Sequence, residues 1–190
     1  ESDLEPDGGK FGGAIHFDGV DDYVFNTSGF QPGGTAFTYA YFFKPDEEDY
    51  TDGHGRDDHI YSNARPHFSF SRDGGGDGLL GMYFTINGDS QVKSTTSEWN
   101  SDTWYHVAWT FDGEVVRMYV DGVEEGTLDM AGEHTPQGDG RFSLGSNAGN
   151  NAFEGFMDDL TVWDEPLSES DLLALTQNGV EAFLAQRDLD

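Results

Sequence analysis

Trp99-Asn-Ser-Asp-Thr-Trp-Tyr-His-Val-Ala-Trp-Thr-Phe-Asp-Gly113, then Glu114-Val-Val-Arg-Met-Tyr-Val-Asp-Gly122 and Val123-Glu-Glu-Gly-Thr-Leu128, decides how this chain folds. Two Asp-Gly pairs, Asp112-Gly113 and Asp121-Gly122, separate runs rich in aromatic and β-branched residues. Asp-Gly is a strong hairpin signal, because both central residues of a type I′ turn need positive φ. The stretch therefore predicts a three-stranded antiparallel meander. In its first strand Tyr105, Val107, Trp109 and Phe111 alternate with Trp104, His106, Ala108 and Thr110. Large residues on both faces predict a strand covered on at least one side and lined for a further contact on the other.

Outward from the meander, the alternation of apolar and polar residues predicts strands at 14–17, 23–25, 36–44, 66–72, 79–86, 91–96, 142–145 and 156–163. Phe37, Tyr39, Tyr41 and Phe43 share one face of the third of these. Ser168 followed by Asp171 reads as a capped helix start, with Leu172, Leu173 and Leu175 packing on the strands. Gln177-Asn178-Gly179 ends that helix, and 180–187 adds a second short one. Residues 1–9 read as a polar lead-in, 10–176 as the folded unit and 177–190 as a tail. A chain of 190 residues suits one all-β sandwich.

Three blocks carry a family resemblance. Trp104-Tyr-His-Val-Ala108, Phe111-Asp-Gly113 and Met118-Tyr-Val-Asp-Gly122 resemble the core signature of laminin-G-like domains, members of the concanavalin A-like lectin/glucanase superfamily. Phe11-Gly-Gly-Ala-Ile-His-Phe-Asp-Gly-Val-Asp-Asp-Tyr-Val24 resembles the opening strands of that family. Phe153-Glu-Gly-Phe-Met-Asp-Asp-Leu-Thr-Val-Trp163, with Pro166-Leu-Ser168 after it, resembles the closing strand and tail. The resemblance implies a jelly-roll sandwich of two antiparallel sheets with a short C-terminal helix. It leaves function open, because one sandwich hosts lectins, adhesion modules, hydrolases and spacers.

Charge is the strongest compositional signal: 37 acidic residues face 9 basic ones, a formal net of −28. Such self-repulsion destabilises a compact chain at low ionic strength and is screened at molar salt. One reading is a protein from a salt-loving organism, with a haloarchaeon as the expected source; the other is an ordinary acidic secreted protein. Nucleic acid is a poor partner for this surface. No apolar run reaches the roughly 18 residues of a membrane span. With no cysteine, disulfides say nothing of the redox compartment.

The resemblance also implies a structural calcium ion between the opening and closing strands. Asp158 would be a side-chain ligand, with Asp18, Gly19 or Asp22 supplying more oxygens. Alternation puts Asp158 in phase with Phe156, Leu160 and Val162, where a bare carboxylate is costly. The alternative is an Asp158 that accepts backbone N–H bonds from the Asp18 turn. His54-Gly-Arg-Asp-Asp-His59 could hold a transition metal, form a solvated loop or contact a ligand, and it matches no standard metal spacing. Asp73-Gly-Gly-Gly-Asp77-Gly78 reads as a hairpin loop. Asn26-Thr-Ser28 fits a glycosylation sequon or a chance match, at an exposed position.

No Glu-x-Asp-x-Glu strand and no Gly-x-Ser-x-Gly elbow occurs, so catalytic residues are not assigned. Sugar recognition needs exposed aromatics beside amides and cations. Arg56, Tyr61, Trp99, Asn147, Asn150 and Asn151 are the candidates. The expected function is a non-catalytic extracellular recognition or adhesion domain that binds a glycan or cell-surface glycoprotein, as part of a larger surface protein. The rival is a structural module with no small ligand. The charge makes one prediction directly: the melting temperature should rise by tens of degrees (roughly) between low and molar salt. Thermal scans across a KCl series check it, and a flat profile would contradict salt adaptation.

Overall fold

The computed structural model describes residues 3–26, 34–46, 58–62, 67–70, 78–85, 89–132, 142–146 and 151–188, with side chains left out at 58, 61, 62, 67–70, 84, 85 and 89. Among the described residues thirteen strands precede one helix: β1 (Asp3–Glu5), β2 (Ala14–Asp18), β3 (Val24–Asn26), β4 (Phe37–Pro45), β5 (Asp58–Ser62), β6 (His67–Phe70), β7 (Leu80–Thr85), β8 (Asp89–Lys93), β9 (Tyr105–Phe111), β10 (Val115–Val120), β11 (Val123–Asp129), β12 (Phe142–Leu144), β13 (Glu154–Trp163) and α1 (Glu169–Arg187). A seven-stranded sheet runs β1-β2-β13-β4-β9-β10-β11, and a six-stranded sheet runs β3-β12-β5-β6-β7-β8. Each pairing between neighbours is antiparallel. Asp3–Glu5, within the expected lead-in, pairs with β2.

The alternation along β4 and β9 sorts their side chains between two cores. Phe37, Tyr39, Tyr41 and Phe43 join Tyr105, Val107, Trp109 and Phe111 between the sheets. Ala40 and Ala108 point the other way, into a smaller core under α1 with Tyr119, Leu172, Leu175 and Phe183. The small residues on that face let the helix lie close to the sheet. Leu173, expected to pack on the strands, is instead exposed.

The two Asp-Gly turns differ. Asp121 and Gly122 both have positive φ, 50° and 79°, and Val120 pairs directly with Val123, as a two-residue type I′ turn requires. At Asp112-Gly113 only the glycine is positive, at 93°. The connection there is longer, because Asp112 Oδ1 accepts the N–H groups of Glu114 and Val115. That side-chain turn replaces the expected I′ geometry.

β13 carries a bulge between Asp158 and Thr161, with Asp159 at φ 49°. The extra residue reverses the pleat. Met157 faces the inter-sheet core before the bulge, and Leu160 and Val162 face it afterwards. Asp158 is therefore out of phase with Leu160 and Val162, contrary to the simple alternation read from sequence. Its Oδ2 accepts the Phe11 N–H at 3.0 Å and its Oδ1 the Asp159 N–H at 2.7 Å. The next carboxylate turns to the helix: Asp159 Oδ2 accepts the Val180 N–H at 2.8 Å. Desolvation raises the Asp159 pKa above its ordinary value.

Ser168 and Asp171 form the expected capping box at the helix start. Gly179, at φ 75° and ψ 172°, breaks α1 into two parts where the sequence placed a stop. Asp159 thus caps the second part. A Cβ on Gly179 would lie 2.7 Å from Phe11 Cγ, so only glycine lets the opening loop and the helix break meet.

Two histidines lie within these cores. His59 belongs to β5 and is fully buried, its Nδ1 2.9 Å from the Tyr41 hydroxyl. Placed there, it is no surface metal ligand; His54 lies outside the described residues. His106 lies under α1, its Nδ1 2.7 Å from Thr176 Oγ1. Thr176 gives its own proton to the Leu172 carbonyl, so the imidazole Nδ1–H is the donor. Burial lowers the pKa of His59 to about 3 and of His106 to about 4, from 6.5. Both are neutral when folded and take up protons on unfolding below that ordinary value. Stability is thus full above pH 6.5 and falls toward pH 4. Unfolding by urea in molar KCl should lose about 3 kcal/mol between about pH 7 and 5, within the roughly 1.4 kcal/mol per pH unit allowed to each group. Folded-state NMR should show neither imidazole titrating over that range; titration near the ordinary value would contradict their burial.

Candidate functional site

One end of the sandwich gathers acidic side chains. β2 ends at Asp18, which lies in register with Glu154 at the start of β13. The Asp46 N–H, just past β4, donates to the Glu154 carbonyl at 3.3 Å. After β2 the chain turns sharply. Asp18 Oδ1 accepts the N–H groups of Val20 at 2.9 Å and Asp21 at 3.4 Å, while Asp22 Oδ2 accepts the Asp18 N–H at 3.1 Å. The Val20 hydrogen bond, against a smaller desolvation effect, holds the Asp18 carboxyl below its usual range. Gly19 sits in this turn at φ 73°, and a Cβ there would lie 2.9 Å from Glu154 Cβ.

The turn brings oxygens of Asp18, Asp21 and Asp22 within 4.8 Å of one another, with Asp22 buried and the other two exposed. This donor set suits a hard, oxygen-seeking cation. Asp21 is an addition to the expected ligands. Asp158 is a subtraction: it follows Glu154 along β13 and lies about 13 Å from the Asp18 position at the usual strand rise. Its buried carboxylate is satisfied by Phe11 and Asp159 N–H groups, which resembles the alternative reading except that the donors come from outside the Asp18 turn.

The expected sugar contacts separate. Trp99 is 1% exposed, and its indole N–H donates to the Gly78 carbonyl at 2.8 Å, so it is a core residue. It packs against Phe43 and Tyr105, which explains why a loop tryptophan is buried. Asn151 is exposed, at φ 55°, on the connection into β13. Tyr61 occupies the register position opposite Ser143. Arg56, Asn147 and Asn150 lie outside the described residues, as does the loop from Asp73 to Asp77.

The structure supplies an aromatic pair that the sequence reading overlooked. Tyr23 and Phe25 are 38% and 54% exposed, with ring centres 5.6 Å apart. Val24 is opposite Leu144, which packs on the core, so Phe25 faces outward, while its register partner Ser143 is buried and donates its hydroxyl to the Ser146 carbonyl. This platform directly follows the acidic turn, and Ser143 links it in register to Tyr61. The signal available was the Tyr-Val-Phe alternation directly after three aspartates. Asn26, at the end of β3, is half-buried rather than exposed, because the same register turns it inward. An apolar cavity of about 190 Å³ between the sheets, lined by Ala14, Ile15, Tyr41, Ile60 and Leu144, offers a sugar few polar partners. Among the described residues no helix is long and apolar enough to cross a membrane.

Comparison with known proteins agrees with this fold. A sequence search of curated proteins finds no match. Among solved structures, the chain is similar to a native heptameric SAP-like pentraxin from Limulus polyphemus, at 18% identity and TM-score 0.61, covering 88% of this chain and 83% of that one. It is similar to domain 4 of AbnA, a GH43 extracellular arabinanase from Geobacillus stearothermophilus solved with arabinotriose, at 16% identity and TM-score 0.64, covering 93% and 82%. It is also similar to the CBM40 of a Ruminococcus gnavus IT-sialidase bound to α2,3 sialyllactose, at 14% identity and TM-score 0.61, covering 86% and 96%. At these identities the likeness shows a shared fold. A family model, Laminin_G_3, described as concanavalin A-like lectin/glucanases superfamily, matches residues 18–172, and the chain therefore belongs to that superfamily.

Proposed function

We propose that this domain is a non-catalytic carbohydrate-binding module of an extracellular or cell-surface protein, adapted to high salt. The single observation that carries the reading is the exposed Tyr23–Phe25 pair beside the Asp18–Asp22 turn. Sugar rings stack their C–H faces on exposed aromatics, while carboxylates accept hydrogen bonds from hydroxyls. Superfamily membership alone admits both lectins and hydrolases. Structural neighbours that are carbohydrate-binding domains support the lectin side, as does the lack of a Glu-x-Asp-x-Glu strand.

Calcium belongs to the same reading. Asp18, Asp21 and Asp22 would hold the ion, with Gly19 shaping the turn. There it would neutralise like charges that repel when brought together and fix the orientation of the neighbouring platform. Asp158 is no part of this set. The salt adaptation rests on the −28 charge.

A glycan array in molar KCl, followed by titration calorimetry of the hits, tests the reading. Tyr23→Ala and Phe25→Ala should each weaken binding by roughly tenfold or more, as loss of an aromatic contact of about 1–2 kcal/mol implies. Chelation at constant ionic strength should lower the melting temperature, and Asp22→Asn should abolish that response. A domain that binds no glycan, or binds equally after both aromatic substitutions, would be a structural module instead.

A further inference from the structure

Basic residues are scarce, and in two cases a carboxylate takes the charge: Arg117 lies 2.6 Å from Asp112, and Arg187 lies 2.6 Å from Glu165. Lys44 is held differently. Its Nζ lies 4.3 Å from the ring centre of Phe156 and 5.7 Å from that of Trp104. Among the described residues it makes no ion pair and no hydrogen bond. A cation over aromatic faces is positioned without using its N–H donors. Lys44 is therefore a placed ammonium whose N–H donors are engaged by no described residue.

Its surroundings form a row across four neighbouring strand positions. Phe156 on β13 is in register with His16 on β2 and with Lys44 on β4. Phe43 pairs with Tyr105, which sets Lys44 beside Trp104 at the entry to β9. The His16 and Phe156 rings are 4.5 Å apart, and those of Trp104 and Phe156 are 6.3 Å apart. His16 Nε2 is 2.8 Å from Asp46 Oδ2, so the nearby carboxylate is already engaged. All four side chains are half-buried. The row spans about 14 Å at ordinary strand spacing. It lies on the outer face of the seven-stranded sheet, beyond the patch of Ala40, Ala108 and Tyr119 that the helix covers.

We propose that this row is a second glycan subsite, selective for one carboxylated sugar residue of the uronic or sialic acid type. The carboxylate would pair with Lys44 Nζ and the sugar ring would lie against Trp104. The subsite rests on the carbohydrate-binding reading above, and it adds a charge preference that Tyr23 and Phe25 do not supply. One ammonium in a chain of net charge −28 fits an isolated carboxylate, because a polyanion meets repulsion along the rest of the surface.

The test uses trisaccharides bearing a single glucuronate or a single sialate, each beside its methyl ester, titrated into the whole domain in molar KCl. Wild type should prefer at least one free acid over its ester. Lys44→Gln should weaken that acid about tenfold, the scale of a lost charged hydrogen bond, and leave the ester unchanged. Lys44→Arg should keep the preference, and the Trp104 indole N–H resonance should move with the acid. Tyr23→Ala should leave the acid preference intact. Equal affinity of acid and ester for both sugars, or no effect of Lys44→Gln, overturns this subsite while glycan binding through Tyr23 and Phe25 stands. Failure of every glycan to bind overturns both.

Discussion

The bulge in β13 is the constraint on which the rest of the arrangement depends. β13 lies between β2 and β4, joining the opening of the chain to its interior. One extra residue at Asp158–Thr161 reverses the pleat and aims two consecutive carboxylates at different segments. Asp158 takes the Phe11 N–H of the opening loop, and Asp159 takes the Val180 N–H of the broken helix. Phe11 and Gly179 then meet, which closes the domain over the outer face of the seven-stranded sheet. Buried carboxylates are tolerated there because backbone donors satisfy them.

This placement separates stability from recognition. The closing-strand aspartates hold the chain ends, while the Asp18–Asp22 turn lies beyond their reach at the loop end of the sandwich. Two aromatic features flank that end on opposite sheets: the exposed Tyr23–Phe25 pair and the row around Lys44. Each is anchored on strands, the pair through Phe25 of β3 and the row through His16, Lys44 and Phe156, with Tyr23 and Trp104 directly preceding a strand. The two buried histidines serve the cores instead, His59 between the sheets and His106 under the helix.

Much of the fold was legible because its signals were local. Period-two alternation sorted Tyr105, Val107, Trp109 and Phe111 from Ala108 correctly, and Asp121-Gly122 marked its turn. Ser168, Asp171 and Gly179 marked the helix start and its break. The errors came where a local pattern competes with a non-local one. A bulge cannot be seen in the spacing of Asp158, Leu160 and Val162, so the alternation holds for Phe156 and Asp158 before the bulge and fails for Leu160 and Val162 after it. Trp99 precedes its strand like a loop residue, yet Phe43 and Tyr105 bury it. Tyr23 and Phe25 resemble any short strand until the register with β12 turns them outward. The Lys44 row combines four strands, and no window of sequence contains it.

Amide hydrogen exchange on Asp158→Ala and Asp159→Ala tests the clamp most directly. Asp159→Ala should speed exchange at Val180 and through the second part of the helix, and Asp158→Ala should do so at Phe11, with β9 and β10 unchanged in both. Unaltered protection of Phe11 and Val180 would contradict the account, as would loosening confined to the Asp18–Asp22 turn.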